Sequence, residues 1–107
     1  MHIQERWYVD VVVLDLKGKL TLGDGDDVLK NKAKSLVNQG QNNIVLNLAE
    51  VPYIDSAGLT EIVRIYTTVN RQGGTLTLQN LTKQITELLL TTRLLSIFKI
   101  DGIVGDA

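Results

Sequence analysis

The sequence predicts an α/β domain with a mixed sheet, and three observations carry that expectation. Its 107 residues suffice for one core and are too few for two. Short apolar runs of strand length alternate with stretches whose apolar residues recur at helical spacing. The resulting order is β-β-α-β-α-β-α, in which each β-α-β crossover makes its strands parallel.

Ile3 to Tyr8 is a first strand pattern, and Val9-Asp10 a turn. Val11 to Lys17 is stronger, with three consecutive valines followed by Leu14 and Leu16, and Gly18 ends it. Gly23-Asp24-Gly25-Asp26-Asp27 is a loop whose acids fall at the start of the next helix, where the dipole favours them. Val28, Leu29, Ala33, Leu36 and Val37 trace one face of that helix, and Gly40 supplies its stop. Ile44–Leu48 is a buried-strand pattern, and Pro52 rules out continued pairing. Leu59, Ile62, Val63, Tyr66 and Val69 then repeat at helical spacing until Gly73-Gly74. Leu76 and Leu78 alternate with polar residues from Thr75 to Gln79, as in a strand. Thr82 can cap a third helix in which Ile85, Leu88 and Leu89 share a face.

The segment from Asn47 to Leu59 is the most informative, because it carries a strand through a loop and delivers Ser56 to a helix start. Free backbone N–H groups and the positive end of the helix dipole point outward there. That location suits a phosphoryl group, which carries about −1.5 to −2 charge at neutral pH. It equally suits an ordinary N-cap, since Ser and Asp are among the commonest. Ala57 and Gly58 leave the first turn bare although glycine costs about 0.5–1 kcal/mol there, so another molecule is expected to approach the hydroxyl closely.

The pattern Asp55-Ser56-x-Gly58-Leu59, after a strand and a loop containing Val51, resembles the phosphorylation motif of STAS-domain anti-sigma-factor antagonists. The resemblance extends over nearly the whole chain and implies a single STAS-like domain spanning residues 1–107. It implies partner switching: the unphosphorylated form binds an anti-sigma factor that is also a serine kinase, and frees the sigma factor. Phosphorylation of Ser56 breaks that binding, and a serine phosphatase restores it. Thr21, Asp24, Asp55, Ser56, Ala57, Gly58 and Leu59 are the expected partner-binding residues, with Asp55 either orienting the site or serving as a cap.

Composition limits the alternatives. The net charge is −1 with both signs mixed, so no basic field draws in nucleic acid. The absence of cysteine removes disulfides, thiolate chemistry and most structural zinc sites. No signal pattern or run of about 18 apolar residues appears, so a cytoplasmic chain without a membrane partner is expected. A serine hydrolase needs a base beside its nucleophile, yet the sole histidine, His2, lies next to the terminus, and there is no Gly-x-Ser-x-Gly elbow. A phosphate-binding Gly-x-x-x-x-Gly-Lys-Ser/Thr loop is absent, and Asp24, Asp26 and Asp27 lack calcium-loop spacing. The expectation is therefore a regulator with no enzymatic activity, no cofactor and no metal.

The best rival is a receiver domain, but its phosphate-accepting aspartate would fall at Asn47, and an amide forms no acyl phosphate. Its acidic pair after an early strand is also missing. A third reading is a non-switching STAS adaptor used only for assembly. Two features depart from the family pattern. Gly18-Lys19-Leu20-Thr21 places Thr21 where many relatives carry an aspartate, and the chain ends at Ala107, a shortened C-terminus. Leu90, Leu94, Leu95 and Phe98 then either pack on the sheet and each other or form a patch supporting a weak homodimer or partner contact.

Overall fold

The computed structural model describes residues 1–104. Strands β1 (His2–Trp7) and β2 (Val12–Lys17) form an antiparallel hairpin, closed where Tyr8 N–H donates to the Val11 carbonyl at 2.9 Å. There follow α1 (Asp26–Asn38), β3 (Asn43–Glu50), α2 (Ser56–Arg71), β4 (Thr75–Thr82), α3 (Lys83–Thr91), a short 3-10 turn at Leu95–Ile97 and β5 (Lys99–Val104). The sheet order is β1-β2-β3-β4-β5, antiparallel at the first pair and parallel at the rest. The expected mixed α/β architecture is present, extended by β5. That strand carries little sequence signal, because Lys99 and Asp101 are exposed, Ile100 is only half-buried, and Gly102 interrupts the pattern.

Register explains the core. Val12, Ile44 and Leu76 stand side by side across β2, β3 and β4, as do Leu14, Leu46 and Leu78, and none is more than 2 % exposed. Burying each such side chain is worth about 1.5–3 kcal/mol. Successive parallel strands are added in one direction, so right-handed crossovers put α1, α2 and α3 on this one face. Leu29, Ala33 and Leu36 of α1 and Ile62, Ile65 and Val69 of α2 complete the core. Val28, expected on the inner face of α1, is instead exposed in its first turn. In α3, the Thr82 hydroxyl caps the helix by accepting the Ile85 N–H at 3.3 Å.

The opposite face of the sheet is polar. Gln4, Asp15, Asn47, Gln79 and Asp101 form a row across all five strands. Arg6 donates twice to the Asp15 carboxylate, at 2.6 and 2.9 Å, and holds its pKa below the usual range. Asn47 donates to Asp15 at 2.7 Å and accepts from Asn80 at 3.1 Å, so the residue at the receiver-like position serves the sheet.

The C-terminal apolar residues divide. Phe98 is buried and meets Tyr66 edge-on, with ring centroids 5.4 Å apart, while Leu94 and Leu95 pack against the core. Leu90 stays exposed. No helix among the described residues is long and apolar enough to cross a membrane.

Glu61 is a buried carboxylate, only 7 % exposed, in a groove of about 360 Å³ between α1 and α2. Arg64 lies 3.6 Å away, but burial outweighs it and pushes the Glu61 pKa up. An acid raised in the folded state opposes folding once ionised, fully so above its folded pKa. Glu61→Gln is therefore expected to be more stable than the parent at neutral pH. The difference should vanish as pH falls through the raised pKa to below the unfolded value of about 4.3. Urea unfolding at several pH values checks this.

Candidate functional site

The site is built at the carboxyl ends of β2 and β3, where β2 runs on past Lys17 as a strap across the start of α2. Gly18 N–H donates to the Glu50 carbonyl at 3.1 Å, and Leu20 N–H to the Tyr53 carbonyl at 3.0 Å. The Leu20 carbonyl in turn accepts the Asp55 N–H at 3.3 Å, pairing Leu20 with Ile54 as a parallel bridge. Two glycines admit this strap. A Cβ at Gly58 would lie 2.1 Å from the Leu20 oxygen, and one at Gly25, where φ is 102°, would lie 2.2 Å from the Lys19 oxygen. The first turn of α2 is thus occupied from within, and the expectation that Gly58 opens the hydroxyl to another molecule is corrected: the space it leaves belongs to Leu20.

Beyond Leu20 the chain turns back in a tight hairpin. Thr21 and Asp24 exchange both backbone hydrogen bonds, at 2.8 and 2.9 Å, and leave Leu22 and Gly23 at the tip. Asp26 accepts the Gly23 N–H at 3.0 Å and the Asp27 N–H at 2.8 Å, so this acid organises the loop into α1. Asp24 is exposed and sits 3.9 Å from the Met1 ammonium. Among the described residues no cluster of His, Cys, Asp or Glu could hold a metal ion.

Asp55 joins the two halves of the site. It is the N-cap of α2, with extended backbone angles, and its Oδ1 accepts the Gly58 N–H at 2.9 Å. Its Oδ2 accepts the Leu22 N–H at 3.1 Å. The Gly58 donor first, and then that of Leu22, hold the Asp55 pKa below the ordinary carboxylate range. One carboxylate therefore caps the helix and pins the hairpin tip.

Because Asp55 performs the capping, Ser56 becomes the first residue of α2 and its side chain is exposed. Its backbone carbonyl accepts the Thr60 hydroxyl at 2.7 Å. No described histidine, lysine or arginine hydrogen-bonds the Ser56 hydroxyl. His2 lies on β1 opposite Lys17. Of the other expected contact residues, Thr21, Asp24 and Asp55 come together with Ser56 on one face, and Ala57 is half-buried beside them. Gly58 and Leu59, also among the expected partner-binding residues, are buried beneath that face.

Sequence reasoning passed over two exposed side chains here, Leu22 at 76 % and Tyr53 at 48 %. An apolar residue inside an otherwise polar loop was the available signal for Leu22. The Leu20 contact yields a test at Gly58. In an open helix, glycine to alanine gains about 0.5–1 kcal/mol. Here the added methyl overlaps a backbone carbonyl, so Gly58→Ala is expected to lose about 1–3 kcal/mol in urea unfolding.

Comparison with known proteins agrees with this geometry. The family model described as STAS domain matches residues 2–107. The anti-sigma-B factor antagonist of Bacillus subtilis (strain 168) is 37 % identical over 75 residues, covering 70 % of this chain and 68 % of that protein. The crystal structure of TM1081 from Thermotoga maritima superposes with a TM-score of 0.86 at 28 % identity, covering 98 % of this chain and 86 % of that one. SpoIIAA, solved in unphosphorylated and phosphorylated forms, shares the fold at 17 % identity, with TM-scores of 0.70 and 0.74. These structures cover 99 % and 94 % of this chain, which spans 88 % and 92 % of theirs. The chain belongs to the STAS domain family, among the anti-sigma-factor antagonists.

Proposed function

We propose that this protein is a partner-switching anti-sigma-factor antagonist whose switch is Ser56. The carrying observation is the division of labour at the start of α2: Asp55 caps the helix, so the Ser56 hydroxyl is exposed and free. In the unphosphorylated state the face made by Thr21–Asp24 and the first turn of α2 binds an anti-sigma factor, and the sigma factor is released. That anti-sigma factor is also a serine kinase and brings the nucleotide. Its γ-phosphoryl group passes to the Ser56 oxygen, the nucleoside diphosphate leaves, and a base of the kinase takes the hydroxyl proton. A serine phosphatase returns the group to water. This chain supplies the hydroxyl and the surface and catalyses nothing itself, and it works in the cytoplasm with its partners.

The geometry indicates how a phosphate would act. The Gly58 N–H, one of the donors that a phosphate at a helix start would use, is already held by Asp55. The new group, carrying about −1.5 to −2 charge, would therefore project into solvent beside a carboxylate. Like-charge repulsion there is screened, so the fold should survive. Binding fails because a hydrated anion would have to be desolvated against a surface shaped for a hydroxyl.

Phosphopeptide mapping after incubation with the cognate kinase and nucleotide is expected to place the modification on Ser56 and to find none in Ser56→Ala. Undiminished modification of that variant would sink the assignment. Ser56→Asp is expected to keep the parent amide spectrum away from the site while losing the kinase. Ser56→Ala should fold and bind with a stability change of no more than about 0.5 kcal/mol, because Asp55 holds the cap.

A further inference from the structure

A carboxylate on the inner side of α2 has no hydrogen bond to account for its burial. Glu61 is 7 % exposed and lines the groove of about 360 Å³ between α1 and α2. Its one ion pair among the described residues is with Arg64, at 3.6 Å, beyond hydrogen-bond reach. A buried polar group left unpaired opposes folding, so its retention against a cavity points to a partner from outside the chain.

The groove opens where the buried stripe of α1 narrows to Ala33, between Leu29 and Leu36. Ala33, Val37 and Ile65 give it an apolar floor. Lys30 and Lys34 on α1 and Arg64 on α2 line its walls, so three cations face one carboxylate. Neither lysine makes an ion pair or hydrogen bond among the described residues. The other charges of these helices lie outside the lining. Lys32 pairs with Glu5 on β1, and Arg71 is in the last turn of α2. The charges of Asp26 and Asp27 reach Glu61, but both stand in the first turn of α1, where Asp26 already accepts two backbone N–H groups.

We propose that this groove binds a small amphipathic carboxylic acid with an N–H or O–H donor beside its carboxylate, as in an N-acyl amino acid. The tail lies on Ala33, Val37 and Ile65, the carboxylate among Lys30, Lys34 and Arg64, and the donor on Glu61. Arg64 and Glu61 are 3.6 Å apart, so the ligand's acceptor and donor have to be neighbours, which disfavours a plain fatty acid. A mostly apolar cleft of this size with a few converging polar groups is the usual form of a small-molecule site. No lining residue belongs to Thr21–Asp24 or to the first turn of α2, so the site stands apart from the switch face.

Amide-shift titration of the isotope-labelled protein with N-hexanoylglycine tests the proposal. Saturable shifts are expected at Ala33, Val37, Ile65 and Thr68, with a dissociation constant of about 1 mM or tighter. Hexanoate, which lacks the donor, and N-hexanoylglycinamide, which lacks the charge, should each bind about tenfold more weakly. Glu61→Met should erase the preference over hexanoate, and Lys30→Gln combined with Lys34→Gln should reduce that over the amide. Thr68→Phe, which fills the groove from its half-buried rim, should abolish binding. Absence of saturable shifts in the parent, saturation at another surface, or parent-like binding by folded Thr68→Phe overturns the site. Equal affinity of the parent for all three probes, or an undiminished preference in folded Glu61→Met, overturns the ligand chemistry assigned to it.

Discussion

The Leu20 carbonyl oxygen is the point on which the functional end of the molecule turns. It accepts the Asp55 N–H and simultaneously fills the volume above Gly58, so strap and helix share one atom. Three consequences follow from that contact. The residue at position 58 has to lack a side chain, α2 has to start where it does, and the strap has to emerge with Leu20 buried and Leu22 outside. Moving the strap outward by the width of a methyl group would break the Asp55 N–H bond and lift Leu22 away from the carboxylate that pins it. Packed interiors do not absorb such shifts continuously.

The one-residue offset between cap and hydroxyl has chemical weight. Had Ser56 been the cap, its oxygen would be spent on a backbone N–H and its geometry fixed by the helix. With Asp55 in that place, the stronger acceptor takes the helix donor and the weaker nucleophile is left at the surface. The same carboxylate, reaching Leu22 with its second oxygen, makes the surface around the hydroxyl a single rigid unit.

Much of this was legible in the sequence because it depends on periodicity. The helices from Leu29 and Leu59 repeat apolar residues at helical spacing, and the runs at Val12 and Ile44 read as strands from their short length and β-branched content. The position of Ser56 at a helix start was legible for the same reason. Strand β5 was not, because an edge strand with one face to solvent needs only Ile100 inward in its first three residues. The role of Gly58 was misjudged because its cause is an oxygen 38 positions earlier in the chain, and local pattern carries no record of it. Asp55 stood between two readings, cap and site residue, until the hydrogen bond to Leu22 joined them. Val28 was placed on the helical stripe by spacing, yet it lies at the rim of that stripe, and its neighbour Leu29 takes the buried position.

The spatial order of the strands has a consequence for synthesis. Position in the sheet equals position in the sequence from β1 to β5. A chain emerging from the ribosome amino end first therefore always meets an existing edge with its newest strand. No strand has to wait for a later one to be inserted beside it, and no gap has to be held open. Each helix can be laid over the two strands it joins without waiting for a later element. Folding of this kind keeps the unpaired edge short-lived at every length and limits the opportunity for pairing between nascent neighbours on one message.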